Sequence, residues 1–493
     1  MTDDAGHARA SLHLAILLIV CALAFFIALG HSPVHRVQEA RVLETAREML
    51  ENHDPVLPRL GGQARVEKPP LAYWLALGGF LATGTDEAGG RLYSALSGTL
   101  TVILVYALGS SWGRAATGLW AGLILATSRL FMLHSRLAET DVLLTLAVTA
   151  AMYCFWRAFV VPQKNGHFLQ IAFSGWVALG WGAMAVGFLA KGPAGLLFPL
   201  VSVVLFLCAA RRWAALPRVF NPLGMVLFLT LVVPWFIEVM RRQGMAAGVF
   251  WHEMAAVVTG QSHGPANVVY ALFYYPIRIW PDFAPWSIFL VPVLMFAWRS
   301  ISTEPGAQFL LAWTIGILVQ LEVIGSRQAH YLLPVFPALA LLSGYWFEWG
   351  APKFRALAGP WRGRAVAGLG VAALALSTVW IFWGEAKIQP ANQSRRDFAR
   401  AIEPVIGSRN VYFYGFVDPV IDFYLRRVIS DLDGGPAELD RLAGASRSVF
   451  VIAEEGGKAG AGYAEARLAA DSRFRLVISA APPGPSLRLY RSD

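Results

Sequence analysis

The sequence predicts an α-helical protein that crosses a membrane many times and ends in a small α/β domain. Of its 493 residues 56% are hydrophobic, and long apolar runs recur with short polar interruptions, as in polytopic helical membrane proteins. Lys and Arg cluster in the short loops, which is the distribution that the positive-inside rule describes. After Trp383 the composition changes: the runs VYFYGF, SVFVIAEE and FRLVISA are rich in β-branched and aromatic residues and predict short strands. The segments DPVIDFYLRR and GYAEARLAADS between them predict helices.

The composition also excludes some classes of protein. The net charge of +9 would suit nucleic acid only if the basic residues formed a surface stripe, and here they lie in loops between spans. The three cysteines fall inside apolar runs, where cysteine packs as a small hydrophobe, and no CxxC pair is present; they are Cys21, Cys154 and Cys208. We therefore expect no nucleic-acid partner and no disulfide framework.

The apolar runs define the predicted spans. The first, Ser11–Gly30, has the length of a full span and no convincing cleavage site, so we expect an uncleaved helix. Arg91–Ser111 and Ala115–Ser128 follow as the second and third spans. We count about eleven spans, or about thirteen if two interfacial segments cross fully, and an odd number places the C-terminus outside. The predicted domains are a membrane domain, 1–386, and an extracytoplasmic α/β domain, 387–493.

The loop 31–90 contains the most charged stretch of the N-terminal half. Within it, Glu39–Leu50 carries apolar residues at helical spacing with charges on the other face, which predicts an amphipathic helix lying in the membrane interface. The pair Pro69-Pro70 is suited to the first turn of a second short helix. Charges of both signs beside a bilayer are costly unless they pair or line a wet cavity. We therefore interpret this loop as part of an active site at the membrane surface.

The basic loops orient the chain. They lie at Arg157–Lys164, Arg211–Arg218, Arg299 and Lys353–Arg364. If these face the cytoplasm, the other polar patches all face outward; these are 31–90, His134–Asp141, Ala190–Pro193, Arg241–Tyr275 and Ser326–Tyr331. Independent loops have no reason to agree in this way, so the agreement predicts one functional face.

Two carboxylates are the first candidates for chemistry. Glu39 lies in the first outer loop and Asp141 lies where the fourth span begins. A carboxylate in such a place can accept a proton from an attacking hydroxyl. The alternatives are structural: Thr140-Asp141 precedes an apolar run as a helix N-terminus does, and Glu39 has Arg36 and Arg41 nearby as ion-pair partners.

Two lysines are candidates for binding a phosphate. Glu67-Lys68 precedes the double proline, which would fix the ammonium as a point charge; the alternative is a lysine that reaches toward headgroups at a helix start. Lys191 stands in an apolar stretch and would face protein or a wet cavity, unless it too reaches headgroups from the end of a span. Both readings stay open for each lysine.

Further polar candidates lie later in the chain. Arg327, His330 and Tyr331 occur together, and His263 lies in a polar loop where a surface histidine is equally typical. The sequence has no HExxH, CxxC or Walker pattern, so it indicates neither ATP hydrolysis nor a tightly held metal. It leaves open a loosely bound divalent cation on the carboxylates.

Several motifs, taken in order, resemble those of the ArnT-like, family 39 glycosyltransferases, which are membrane enzymes of the GT-C fold. The stretch QEARVLETAREML with PRLGG and VEKPPLAYWL is similar to their first periplasmic loop. SRLAETDVLLT resembles their second acidic loop, LAKGPAGLLFPL their lysine-bearing turn, and SRQAHYLLPVFPALALL a later segment. The resemblance covers essentially the whole chain and implies the GT-C fold.

The resemblance also implies roles for these residues in transfer of a sugar from a polyprenyl phosphate with inversion. The implied catalytic carboxylates are Glu39, Asp141 and Glu67. The implied phosphate-binding residues are Arg41, Lys68, Lys191, Arg327 and Tyr331. The implied sugar or acceptor residues are Gln38, Glu44, His263 and His330. One residue departs from the family: Gln38 stands where an aspartate is usual, and glutamine cannot take a proton.

We therefore expect an inverting glycosyltransferase of the bacterial inner membrane, with its site and C-terminal domain periplasmic. Its partners would be a polyprenyl-phosphate sugar donor, a lipid or glycan acceptor such as lipid A, and membrane lipids, and we expect a monomer. Protein O-mannosylation is the alternative within the family. A silent lipid-binding relative is favoured by Gln38. A transporter would need a charged path across the bilayer midplane, whereas the polar residues here cluster on one face.

Overall fold

The computed structural model describes residues 2–112, 115–161, 175–243, 248, 250, 252, 255–256, 268–350, 362–432, 436–444, 448–455, 461–480 and 486–492. The chain forms two compact units. The helical unit comprises Met1–Leu29, Val66–Ala72 and Arg91–Ile381, and the mixed unit comprises Gly30–Arg65, Tyr73–Gly90 and Phe382–Asp493.

The described secondary structure follows in chain order. The helices are α1 Thr2–Cys21, α2 Val37–Glu51, α3 Leu71–Thr83, α4 Glu87–Trp112, α5 Ala115–Ala126, α6 Arg129–His134, α7 Thr140–Phe159, α8 Gly175–Lys191, α9 Ala194–Ala209, α10 Leu216–Val219, α11 Pro222–Gln243, α12 Val268–Asp282, α13 Leu290–Arg299, α14 Pro305–Val323, α15 Phe336–Tyr345, α16 Arg362–Ile406, α17 Pro419–Leu425, α18 Pro436–Ala443 and α19 Ala461–Ala470. The strands are β1 Arg59–Leu60, β2 Gln63–Ala64, β3 Val411–Tyr414, β4 Ser430–Leu432, β5 Phe450–Glu455, β6 Phe474–Ser479 and β7 Ser486–Ser492.

The helical unit contains helices suited to crossing a membrane. In the described residues, five are long and apolar enough by length and composition; they are His7–Phe26, Glu87–Trp112, Thr140–Phe159, Trp213–Gln243 and Pro305–Val323. A sixth span results if the bent pair Phe273–Asp282 and Trp286–Arg299 is one span. The predicted second span corresponds to α4. The predicted third span, Ala115–Ser128, is the shorter apolar helix α5, so a total of about eleven requires counting such helices as well.

The core of the helical unit is built by α7, α8 and α9, which pack side by side. Their contact is close because small residues face one another: a Cβ added at Gly187 would lie 2.9 Å from the Cα of Gly195. Membrane helices use such small residues to bring their backbones together. The close approach fixes the turn between α8 and α9, where Lys191 lies.

The mixed unit is organised around a five-stranded sheet with the order β4-β3-β5-β7-β6. Strand β3 pairs in parallel with β4 and β5, and β7 pairs antiparallel with β5 and β6. The sequence predicted strands at β3, β5 and β6 and helices at α17 and α19, and these are confirmed. It did not predict β4, α18 or β7. In β7 the fully buried Leu487 and Leu489 flank the less buried Arg488, a short alternation that could have indicated a strand.

Helix α2 in the mixed unit differs from the interfacial helix that the sequence predicted. Several of its charged residues are buried rather than outward-facing: Glu44 and Glu48 are both fully buried, and Arg47 is 1% exposed. Arg47 donates to both oxygens of Glu44, at 2.7 and 2.5 Å. Helix α2 packs against α17, so its charges had to find partners inside the unit.

The turn after α2 satisfies the remaining buried carboxylate of this group. Glu48 accepts the backbone N–H groups of Gly61 at 2.6 Å and Gly62 at 3.0 Å. Both glycines have positive φ, +63° and +76°, a conformation that favours glycine. The motif PRLGG therefore serves to turn two N–H groups onto a buried carboxylate.

Asp422 in α17 is a buried carboxylate of the mixed unit that is only partly satisfied. It is 1% exposed, one oxygen accepts the Ile429 N–H at 3.2 Å, and the other has no hydrogen-bond partner among the described residues. Burial, followed by the charge of Glu44, raises the pKa of Asp422 to about 9. This side chain is therefore held as the neutral acid at physiological pH.

Asp422→Asn is expected to make the protein more stable at alkaline pH. The unfolded chain loses the Asp422 proton near pH ~4 and the folded chain keeps it to pH ~9, so the free energy of unfolding falls as pH rises between these values. Asparagine is neutral at every pH and removes this loss. We expect a higher Tm than wild type at pH 8.5 and a smaller gap at pH 5.5, in thermal unfolding of the full chain.

The exposed Asp397 provides the matched control, and Asp397→Asn should not change Tm in a pH-dependent way. A Tm gap between Asp422→Asn and wild type that is equal at both pH values would contradict a protonated Asp422.

Candidate active site

An ion pair between Asp141 and Lys191 lies at the centre of the candidate site in the helical unit. The Lys191 ammonium donates to one oxygen of Asp141. Asp141 is 5% exposed, and the Lys191 side chain is 17% exposed. Asp141 is in the first turn of α7 and Lys191 is the last residue of α8, so each charge lies at the helix end that favours it.

The backbone around Lys191 explains why a lysine can stand there. Gly192 follows α8 with φ +70° and donates its N–H to the Phe188 carbonyl at 2.7 Å, an ending that a left-handed glycine allows. Pro193 and the close contact of Gly187 with Gly195 hold the next helix in place. The sequence LAKGPAG thus ends one helix, starts the next and leaves the ammonium directed at Asp141.

Aromatic side chains from the segment Ala329–Val335 border the ion pair. His330 Nε2 lies 4.0 Å from the same Asp141 oxygen. The Lys191 ammonium lies 4.5 Å from the centroid of the Tyr331 ring, which is a cation–π distance. Burial lowers the pKa of His330 to about 3, so this imidazole is neutral at physiological pH. The structure therefore brings together Asp141, Lys191, His330 and Tyr331, which are four of the candidates named from the sequence.

His134 and Glu139 complete the cluster and were not among the predicted site residues. His134 ends α6 and Glu139 is the residue before α7. The His134 Nδ1 atom lies 3.3 Å from a Glu139 carboxylate oxygen, and the two imidazole rings, His134 and His330, are 5.5 Å apart. Glu139 is also held through its backbone carbonyl, which accepts the Tyr93 hydroxyl at 3.0 Å. The signal was present in HSRLAETD, where three potential ligands fall within eight residues.

Three of these side chains have the chemistry of a cation site. One ligand atom from each of His134, Glu139 and Asp141 lies within 4.8 Å of the other two, and all three residues are buried. A mixed set of one imidazole and two carboxylates is compatible with borderline divalent cations.

Arg327 has its charge balanced locally. It donates to the Glu322 carboxylate at 2.9 Å and to the Glu322 carbonyl at 3.2 Å. Its guanidinium also lies 5.9 Å from the centroid of the Tyr275 ring. A phosphate bound by Arg327 would therefore compete with the Glu322 carboxylate for the guanidinium.

The predicted residues on α2 lie in the mixed unit. Gln38 and Arg41 are exposed, whereas Glu39 is fully buried. Glu39 accepts the His35 backbone N–H at 2.6 Å, and it is the third residue of α2, where a glutamate often reaches back to the start of its helix. This contact favours the structural alternative for Glu39. Glu44 is the partner of Arg47 described above.

Three further candidates from the sequence are Glu67, Lys68 and His263. Glu67 and Lys68 are both half-buried in the stretch before α3, which begins directly after Pro69-Pro70 as predicted. His263 lies outside the residues that the structure describes.

The Asp141–Lys191 pair gives a stability prediction. Removing one member of a buried pair leaves the other charge uncompensated, at a cost of about 3–5 kcal/mol. We therefore expect Lys191→Met to lower the Tm of the detergent-solubilised protein. Adding Asp141→Asn to Lys191→Met should restore much of the loss, which a double-mutant cycle would measure. Additive losses in the double variant would show that the two side chains are not coupled.

Comparison with known proteins adds independent findings. A family model described as Dolichyl-phosphate-mannose-protein mannosyltransferase matches residues 15–244. An undecaprenyl phosphate-alpha-4-amino-4-deoxy-L-arabinose arabinosyl transferase from Erwinia tasmaniensis is 30% identical over 65% of this chain and 57% of its own. One of the same name from Pseudomonas paraeruginosa is 28% identical over 74% of this chain and 64% of its own. This chain spans between 57% and 62% of the length of the first three curated relatives.

Solved structures show the fold. The crystal structure of ArnT from Cupriavidus metallidurans bound to undecaprenyl phosphate matches with a TM-score of 0.80 and 22% identity, covering 97% of each chain. An Archaeoglobus fulgidus oligosaccharyltransferase matches at a TM-score of 0.58 and 11% identity, covering 90% of this chain and 69% of its own. The predicted resemblance to the ArnT-like, PMT-type proteins of family 39 is thereby confirmed, and this chain is a multi-pass membrane protein with their GT-C fold.

Proposed function

We propose that this protein is an inverting glycosyltransferase that moves a sugar from a polyprenyl phosphate to a lipid or glycan acceptor. The observation that carries the proposal is the partly accessible Lys191 ammonium, held between Asp141 and the Tyr331 ring at the end of α8. The relatives named as undecaprenyl phosphate-aminoarabinose transferases support a polyprenyl-phosphate sugar as the donor. They also make an aminoarabinose donor and a lipid A acceptor the first pair to test.

Lys191 is suited to bind the donor phosphate. A phosphate that leaves during transfer gains negative charge, and a fixed cation in a site with little water stabilises that charge strongly. Lys191 is fixed by its position at the end of α8, by Gly192 after it and by the Tyr331 ring below it. A lysine acts here as a point charge with three donors, so it can turn from a carboxylate to a phosphate without moving its backbone.

The reaction that we propose is a single displacement. The acceptor hydroxyl attacks the anomeric carbon, the bond from that carbon to the phosphate oxygen breaks, and the polyprenyl phosphate leaves with the electron pair. The acceptor proton passes to a carboxylate, for which Asp141 is the best placed in the helical unit once Lys191 has turned to the phosphate. The neutral His330 beside Asp141 can hold the acceptor without adding a competing positive charge.

Asp141 is preferred to the other predicted bases for structural reasons. Glu39 is committed to the start of α2 through the His35 N–H. Gln38, where the family usually has an aspartate, cannot take a proton. Glu67 remains a candidate and is half-buried before α3. We therefore assign proton transfer to Asp141.

We further propose that the protein lies in the bacterial inner membrane with its site on the periplasmic face, acting as a monomer. The basic loops support this orientation, because loops rich in Lys and Arg usually face the cytoplasm. With those loops inside, HSRLAETD, AKGP and SRQAHY would lie outside. The family model's description favours one alternative, transfer of mannose to a protein.

Transfer by the purified full chain in nanodiscs tests the proposal. Undecaprenyl phosphate-aminoarabinose and other undecaprenyl-phosphate sugars would be the donors, and lipid A or a crude envelope lipid extract the acceptor, with products identified by mass spectrometry. We expect turnover by wild type and at least a hundredfold loss in Asp141→Asn, because general-base catalysis contributes about 10²–10⁴-fold. Asp397→Asn, exposed and in the mixed unit, should keep wild-type turnover.

Gln38→Asp distinguishes an enzyme from a silent relative. A wild type without turnover, together with a gain of turnover in Gln38→Asp, would replace the proposal with a lipid-binding protein that has lost its base. Transfer of mannose to protein but not to lipid would favour the alternative acceptor. Unaltered turnover in Asp141→Asn would remove Asp141 from the mechanism.

Lys68→Ala is expected to weaken binding of undecaprenyl phosphate by about tenfold, the effect of about 1.4 kcal/mol. The physical reason is that Lys68 is one of the cations that the family resemblance implies for the donor phosphate, and alanine removes its charge. Affinity is measured by titration of the nanodisc-embedded protein, with His53→Ala, an exposed residue, as control. An affinity equal to wild type would show that Lys68 does not bind the phosphate.

A further inference from the structure

We propose that Arg129 and Arg278, which share the buried carboxylate of Asp282, bind the headgroup of an anionic phospholipid of the surrounding membrane. The lipid would be a structural ligand, neither sugar donor nor acceptor. We call these three residues the arginine cluster. The inference is independent of the proposed transfer reaction, because that reaction uses none of them.

The two arginines surround one carboxylate of the helical unit. The Asp282 side chain is 0% exposed, and Arg278 donates to its two oxygens at 3.0 and 2.9 Å. Arg129 donates to one of the same oxygens. Two guanidiniums and one carboxylate leave one positive charge in excess, so the arginine cluster is suited to attract an anion.

Both guanidiniums are held in place by contacts that use only part of each group. Arg129 Nε also donates to the Pro281 carbonyl at 2.9 Å. The bonds of the two arginines use Nε and Nη2, and neither Nη1 group donates to a residue that the structure describes. The Arg129 and Arg278 side chains are 16% and 37% exposed. An approaching phosphate would therefore meet fixed, planar N–H donors, which is the geometry that arginine offers to phosphate oxygens.

The course of the chain around Asp282 indicates a position at the membrane interface. The helix Phe273–Asp282 is bent by 117° from the helix that follows, Trp286–Arg299. If the second helix crosses the bilayer near its normal, the first runs closer to the membrane plane than to the normal. Arg278 and Asp282 would then lie at headgroup depth, where a guanidinium meets lipid phosphates.

The exposed side of the same helix is apolar. Phe273, Ile277 and Trp280 recur at helical spacing and are 56%, 58% and 45% exposed, as is typical of an interfacial helix with one side toward lipid. Arg278 lies between this side and the buried Asp282. One lipid would therefore place its acyl chains against the apolar side chains and its phosphate against the arginines.

The excess charge of the arginine cluster indicates which class of lipid fits. A phosphatidylglycerol headgroup carries one negative charge, which balances that excess. Phosphatidylcholine has the same phosphate but also a quaternary ammonium, which two guanidiniums would repel. We therefore expect the site to prefer an anionic phospholipid to a zwitterionic one.

Lipid titrations without any sugar donor or acceptor test the site. The full chain would be purified in detergent, titrated with phosphatidylglycerol or phosphatidylcholine, and analysed for bound lipid by native mass spectrometry. We expect tighter binding of phosphatidylglycerol. Arg278→Gln should weaken it about tenfold, because hydrogen bonds to charged groups contribute about this much, and Arg129 still pairs with Asp282 in this variant. Arg241→Gln, which removes an equal charge from a 75% exposed side chain, should bind as wild type does.

Asp282→Asn predicts a gain in affinity for phosphatidylglycerol. This change removes the carboxylate that competes with the lipid phosphate for both guanidiniums and leaves two positive charges in excess. Affinity that does not rise in a folded Asp282→Asn variant would overturn the proposal. If this variant does not fold, Arg278→Gln decides alone.

Three further results would also overturn the proposal. They are equal affinity of the wild type for the two phospholipids, unchanged affinity in Arg278→Gln, and an equal loss in Arg241→Gln. Competition identifies a different ligand: displacement of phosphatidylglycerol by equimolar undecaprenyl phosphate would assign the arginine cluster to the donor site, and displacement by inorganic phosphate would indicate a soluble anion. Either displacement would contradict a phospholipid site. Because no donor or acceptor is present, these outcomes do not depend on the proposed function.

Discussion

The candidate site depends on a buried ion pair at the facing ends of two helices. Asp141 lies in the first turn of α7 and Lys191 ends α8. Removing either side chain would leave the other charge uncompensated in a low-dielectric interior. A Cβ added at Gly187 would lie 3.2 Å from the Cβ of Ala147 in α7, so this glycine lets α7 and α8 come close enough for the pair to form. The pair therefore couples helix packing to the chemistry of the site, and the histidines and Tyr331 are arranged around it.

Buried charges in the mixed unit also need partners, and one of them lacks a full set. Helix α2 brings Glu44, Arg47 and Glu48 into the interior. Glu44 pairs with Arg47, and Glu48 accepts two turn N–H groups. Asp422 finds only one partner and is held neutral instead. A buried carboxylate is thus either paired, as Glu44 and Glu48 are, or protonated, as Asp422 is. In the second case the free energy of unfolding depends on pH.

Much of this architecture could be predicted from the sequence, because hydrophobic runs and residue types carry it. Apolar length predicted α4 and α7, and runs rich in β-branched and aromatic residues predicted β3 and β5. For Lys191, a lone lysine in an apolar stretch, the sequence left open whether it faces protein, a wet cavity or headgroups. The burial of the α2 charges could not be predicted, because amphipathic spacing does not reveal that α17 covers the polar face. The His134 contact was missed for a similar reason: only the three-dimensional course of 134–141 turns that imidazole onto Glu139.

The glycine contact between α8 and α9 has a consequence for redesign of the protein. A side chain at Gly187 or Gly195 would push the helices apart and carry the lysine turn with them, so these positions tolerate little variation. The segment Ala329–Val335, which also borders the pair, contains no glycine. Attempts to broaden the range of accepted molecules should therefore vary that segment and keep the glycines, since shape can change there while the charge stays where it is.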